Sequence, residues 1–113
     1  MENINKKTAI VTGASSGIGY AVSKTLSALG YELYGFGRNF ENTDWNTMDN
    51  AHPIVCDILD TDKLCVQLRQ ITAQNQVHVL VNNAGITMAK SLLDMSWEDY
   101  RRILDINQVS VFL

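Results

Sequence analysis

The early part of the chain has no apolar run long enough for a signal peptide or for a helix that crosses a membrane. Cysteine is scarce, and the two present, Cys56 and Cys65, form no C-x-x-C pair. A disulfide framework and a metal site are therefore not expected. Both thiols read as buried groups in a reducing compartment, the cytoplasm by default. Basic residues are outnumbered: 9 Lys and Arg against 12 Asp and Glu leave a formal charge of −3. That balance argues against a nucleic-acid surface, so neither nucleic acid nor membrane is expected as a partner. Internal repeats and low-complexity tracts are also lacking. What remains is a chain of 113 residues, 46% apolar, the size and composition of one small globular domain.

Glycine, by contrast, is concentrated in one place. Thr12-Gly13-Ala14-Ser15-Ser16-Gly17-Ile18-Gly19 follows the apolar run Ala9-Ile10-Val11 and leads into a helical pattern. A strand, a glycine-rich turn and a helix together set a helix N-terminus against a phosphate. First-turn amides have no partner within the helix, and that end carries partial positive charge. Glycine allows positive φ in the turn and removes the Cβ that would hold a diphosphate away. Ser15 and Ser16 add hydroxyl donors. The spacing is G-x-x-x-G-x-G, not G-x-G-x-x-G, and no Gly-Lys-Ser/Thr follows to make a Walker A loop.

The continuous apolar run from Lys7 to Val11 reads as a parallel strand covered on both faces. A helix is expected from Gly17 to Leu29, with Ile18, Ala21, Val22, Leu26 and Leu29 inward and Gly30 ending it. On this assignment Tyr20 and Lys24, which have Y-x-x-x-K spacing, fall on the solvent face with no catalytic role. The second strand, Tyr31 to Gly37, ends at Arg38 where an acidic residue would bond ribose hydroxyls. Arg38 is placed instead to meet a 2′-phosphate, which favours NADP(H) over NAD(H). Asn39 to His52 is a polar loop without a pattern. A third strand, Pro53 to Cys56, ends at Asp57, and Asp60 or Thr61 caps a helix with stripe Leu64, Leu68 and Ile71. The fourth strand, Val77 to Val81, opens into Asn82-Asn83-Ala84-Gly85, which suits backbone that approaches a ligand closely. Ser96 and Asp99 form a capping-box pair at the start of a last helix. Its apolar stripe takes in Trp97, Tyr100, Ile103 or Leu104, and Val111, with Asn107 on the same face.

These landmarks together resemble the short-chain dehydrogenase/reductase family. The family's T-G-x-x-x-G-x-G is matched by Thr12 to Gly19, its N-N-A-G by Asn82 to Gly85, and its active-site Asn by Asn107. The resemblance spans nearly the whole chain. It implies an α/β fold, a Rossmann-type doubly wound parallel sheet of which the first four strands and intervening helices are here. It also implies hydride transfer between NAD(H) or NADP(H) and a small-molecule alcohol or carbonyl. Gly13, Ser15, Ser16, Gly17, Ile18 and Gly19 would surround diphosphate and adenosine, and Asp57 and Ile58 would flank adenine. Asn83, Ala84 and Gly85 would line the ribose, and Thr12 would tie the first strand to the fourth. Homo-oligomers are common in the family.

The family's serine and its tyrosine-lysine pair have no counterpart in the chain, and the apolar Val109-Ser110-Val111-Phe112-Leu113 carries no helix stop signal. The expectation is a NAD(P)-binding domain over residues 1–113, cut before those residues and inactive alone. A non-enzymatic dinucleotide-binding module, completed by another chain, is the alternative. A methyltransferase is a weaker one, since Arg38 and Asn82-Asn83 have no obvious use there.

Overall fold

Four short runs lie side by side as one parallel sheet in the computed structural model, which describes residues 6–84 and 93–105. They are β1 (Thr8–Thr12), β2 (Glu32–Gly37), β3 (Ala51–Val55) and β4 (Val77–Val81), in the order β3-β2-β1-β4. Three helices accompany them: α1 (Gly17–Ala28), α2 (Thr61–Gln74) and α3 (Trp97–Leu104). Every residue of β1 is buried, because β2 and β4 flank it and both of its faces are covered. That is why its sequence is a continuous apolar run rather than an alternating one.

Side chains alternate along each strand, so the sheet has two cores. On one face Ala9, Val11, Ala14, Leu33 and Trp45 pack together, with Tyr20 and Leu26 of α1 against them. On the other, Ile10, Phe36 and Cys56 meet Leu64 and Ile71 of α2. This two-sided arrangement is the α/β, Rossmann-like parallel fold expected from the strand-helix alternation. The cap of α2 is Asp60, whose Oδ1 accepts from the Lys63 amide at 3.2 Å, and its stripe of Leu64, Leu68 and Ile71 faces the sheet as expected. The capping box of α3 is present in both directions, Ser96 with Asp99.

Several expectations are corrected. Helix α1 is rotated from the expected face: Leu26 packs on the core as expected, but Gly19 and Ser23 are the buried residues, whereas Ile18 and Leu29 are 74% and 70% exposed. Small residues let the helix axis come close to β1, and Ser23 Oγ–H satisfies itself on the Gly19 carbonyl at 2.7 Å. The helix is thereby turned so that Tyr20 is half-buried rather than in solvent. The Tyr20 hydroxyl accepts the Asp44 amide at 2.8 Å, and Lys24 Nζ sits 4.6 Å from its ring centroid. Cys65 is exposed on α2, and only Cys56 is a buried thiol. Trp97 and Tyr100, expected in a buried stripe, are exposed and pack on each other at 5.6 Å.

The loop between β2 and β3 has a pattern after all. It makes a short 3₁₀ turn, Trp45–Thr47, and drives Trp45 into the α1 side of the sheet. Gly35 makes the space: a Cβ there would run into the indole. Phe40 closes the edge of the ring in a T-shaped contact at 5.4 Å.

At the opposite end of the sheet from these loops, Glu32 joins Lys6 at 3.2 Å and also His52, which stacks on Tyr34. Partial burial pushes the Glu32 carboxyl up, but the bonds from His52 and Lys6 outweigh it and hold the group below the usual glutamate value. A carboxyl lowered in the fold contributes stability that is present above its unfolded-chain value and disappears as pH falls through the lowered one. We expect Glu32→Gln to flatten the acid side of a stability-against-pH curve and to change its neutral plateau by about 1 kcal/mol or less, since the group is partly solvated. Parallel acid limbs for the two proteins in urea titrations would contradict this role.

Candidate functional site

The carboxyl ends of β1, β2 and β3 open on a cleft of about 340 Å³. Here the strand order reverses between β1 and β4, and open parallel sheets bind ligands at such a point. Gly13, Ser15, Ser16, Arg38, Asp57, Ile58 and Ala84 line it, all of them expected from the sequence. Phe36, Gly37, Asn39 and Cys56 line it too, and none of them was expected. The signal for Gly37 and Asn39 was their adjacency to Arg38. Nothing local marks Phe36 or Cys56 as cleft residues.

Backbone geometry builds the floor. Gly13 has φ +63°, and a Cβ on it would press on the Ala84 backbone at 3.0 Å. Thr12 is the clasp between the two loops. Its hydroxyl donates to the Val81 carbonyl (3.4 Å) and accepts the Asn83 and Ala84 amides (3.0 Å each), which ties β1 to β4 as expected. Asn83 returns a bond from Nδ2 to the Gly13 carbonyl at 3.3 Å. Gly19 sits beneath this junction: a Cβ there would collide with the Gly13 carbonyl and lie 2.5 Å from Asn83 Nδ2. A Cβ on Gly37 would fall 2.8 Å from Ser15 Oγ. So the glycines at 13, 19 and 37 allow the two loops and the end of β2 to close in. Gly17 instead takes φ +56° with open space around it.

The three helix starts differ in a way that bears on charge. Asp60 and Ser96 cap α2 and α3 with side-chain oxygens, and acidic residues follow in both first turns. Ser16 makes no side-chain capping bond, and the first turn of α1 has no acidic residue. Its unpaired amides and its dipole are left for an external acceptor. Gly17 and Ile18 stand in that exposed turn without lining the cleft. Gly85 and Asn107 lie outside the described residues.

Among the lining residues Arg38 is the one cation and Asp57 the one anion. Arg38 is exposed at the mouth. Asp57 is held in a turn, its Oδ1 accepting the Leu59 amide at 3.0 Å. Burial pushes the Cys56 thiol up, Asp60 and Asp57 add to this, and Lys63 opposes it. Cys56 thus stands as part of the cleft wall. No group of three or more metal-ligating side chains occurs among the described residues, and no described helix is long and apolar enough to cross a membrane.

Comparison with known proteins agrees with this layout. The chain is 32% identical over 113 residues to the 3-oxoacyl-acyl-carrier-protein reductase FabG of Buchnera aphidicola subsp. Schizaphis graminum, covering 96% of the chain and 46% of that protein. The chain therefore spans about half the length of the curated relatives it matches. A short-chain dehydrogenase from Streptomyces avermitilis superposes with a TM-score of 0.83 at 28% identity, over 97% of this chain and 41% of that one. A mutant 4-hydroxyisoleucine dehydrogenase complexed with NADH and succinate shares the fold, with a TM-score of 0.84 at 24% identity over 94% of this chain and 45% of that one. The family model for short chain dehydrogenases matches residues 7–113, nearly every position described above, and the chain belongs to that family.

Proposed function

We propose that the cleft holds a nicotinamide dinucleotide and that the chain is the coenzyme-binding part of an NAD(P)(H)-dependent oxidoreductase acting on a small alcohol or carbonyl compound. The observation that carries this reading is the uncapped, acid-free start of α1 beside a turn in which Gly13 and Gly19 let backbone segments close in where a Cβ would collide. Amides, a helix dipole and missing side chains suit a diphosphate lying close against the backbone. When bound, the coenzyme supplies or accepts the hydride. The chain's own residues bind and orient it: Gly13, Ser15, Ser16, Gly17, Ile18 and Gly19 at the diphosphate, Asp57 and Ile58 at the adenine, and Asn83, Ala84 and Gly85 toward the second ribose. Asn107 is proposed as the one member of the reacting set within these 113 residues, so we assign the chain binding and no turnover on its own.

NADP(H) is the proposed preference. Arg38 directly follows β2 and is the only cation lining the cleft among the described residues, and its fork matches a 2′-phosphate. Arg38→Ala is expected to weaken NADPH by about 1–3 kcal/mol and to leave NADH nearly unchanged, as titration calorimetry would record. Equal losses for both coenzymes would remove Arg38 from the 2′-phosphate. Binding of S-adenosylmethionine in preference to either coenzyme would overturn the dinucleotide reading altogether.

A further inference from the structure

Trp45 is the largest fully buried side chain, 1% exposed, and Phe40 and Met48 of the same loop pack beside it against the core. Its indole Nε1–H donates to the Ala14 carbonyl at 3.1 Å. Ala14 is itself fully buried, and its amide donates to the Phe36 carbonyl at 3.0 Å. Residue 14 of the glycine-rich turn is thus gripped at both backbone groups, by β2 on one side and by Trp45 on the other. A peptide unit is planar and trans, so its carbonyl and its amide point in opposite directions. Drawing the Ala14 carbonyl toward the core turns the Ser15 amide away from it, and Ser15 lines the cleft.

We propose that Trp45 is a positioning residue for the anion-binding turn: by holding the Ala14 carbonyl inward, its indole N–H aims the Ser15 amide into the cleft. This rests on the dinucleotide reading above and names a residue, 31 positions away, that sets the geometry of its diphosphate contact. Gly35 belongs to the same device, since any side chain there would displace the indole and collide with Ala14 Cβ. Space-filling alone would require an apolar ring in this slot. Aiming the amide requires the N–H as well.

The discriminating variant is Trp45→Phe, which keeps a ring opposite Gly35 and removes the donor. Two probes are titrated against each protein: NADPH, and adenosine 2′-monophosphate, which has no diphosphate. In Trp45→Phe, NADPH is expected to bind about tenfold more weakly, while adenosine 2′-monophosphate binds as to the parent protein. Equal loss for both probes, or no loss for either, overturns the proposal and leaves the dinucleotide reading standing. Failure of the parent protein to bind NADPH overturns both. If Trp45→Phe does not fold, the indole N–H resonance of Trp45 in the parent protein carries the test. It should shift on adding NADPH and stay in place with adenosine 2′-monophosphate, and a resonance unmoved by NADPH overturns the proposal.

Discussion

Gly19→Ala is expected to destabilise the protein by about 3 kcal/mol or more and to reduce NADPH binding by at least about a hundredfold. The added methyl has nowhere to go. It would meet the Gly13 carbonyl oxygen and carbon and the Asn83 amide nitrogen, all within 2.9 Å. Two of those atoms are backbone in the turn whose shape makes the cleft, and the third belongs to the bond that joins the two loops. Relief therefore comes only by lifting the start of α1 from β1 or by breaking the Asn83–Gly13 contact. Either movement spoils the proposed diphosphate cradle as well as the fold. Gly17→Ala is the control. Gly17 lies two residues earlier with φ +56° and nothing near its missing Cβ, so it loses only the backbone preference, about 1–2 kcal/mol. Urea denaturation and NADPH calorimetry on the pair separate crowding from backbone strain. Matching losses in the two variants would show that the close approach at Gly19 does not govern the turn.

Trp45→Ala is expected to cost about 3–5 kcal/mol. The indole fills the space above Gly35, packs edge-on against Phe40 and satisfies the buried Ala14 carbonyl. Its removal leaves a cavity on the α1 side of the sheet and an acceptor without its donor, and both carry a penalty. Trp97→Ala gives the comparison. That ring is 68% exposed on α3, and its loss should change stability by about 0.5 kcal/mol or less. Denaturation midpoints read by circular dichroism avoid any reliance on tryptophan emission. A small effect at Trp45 would mean that the loop between β2 and β3 is not anchored through its indole.

Local signals were read well wherever a local interaction makes the structure. The bounds of β4, Val77–Val81, match expectation because its valines and leucine mark a strand, although exposure alternates along it and none of its residues is fully buried. Asp60 and the Ser96–Asp99 pair are caps whose donors lie three residues away, so spacing along the chain contains the whole interaction. The left-handed glycines at 13, 17 and 30 mark the turn and the helix stop for the same reason. The cleft was legible through Gly13, Ser15, Ser16, Arg38, Asp57, Ile58 and Ala84, all of which stand near strand ends.

What periodicity could not convey was which side of α1 would meet the sheet. Ile18 and Leu29 outrank Gly19 and Ser23 on any apolar scale, yet close approach to β1 selects the small pair, and only the partner strand makes smallness an advantage. The same holds for Trp45. Inside a polar loop its side chain has no regular neighbours in sequence, and its slot exists because Gly35, Ala14 and Phe40 converge from three separate segments. Strand positions, helix starts and the glycine-rich turn were written in short-range chemistry. Helix rotation, the tryptophan wedge and the cleft walls at Phe36 and Cys56 arose only once distant segments competed for the same volume, since close packing is a property of the assembled layers and not of any one stretch.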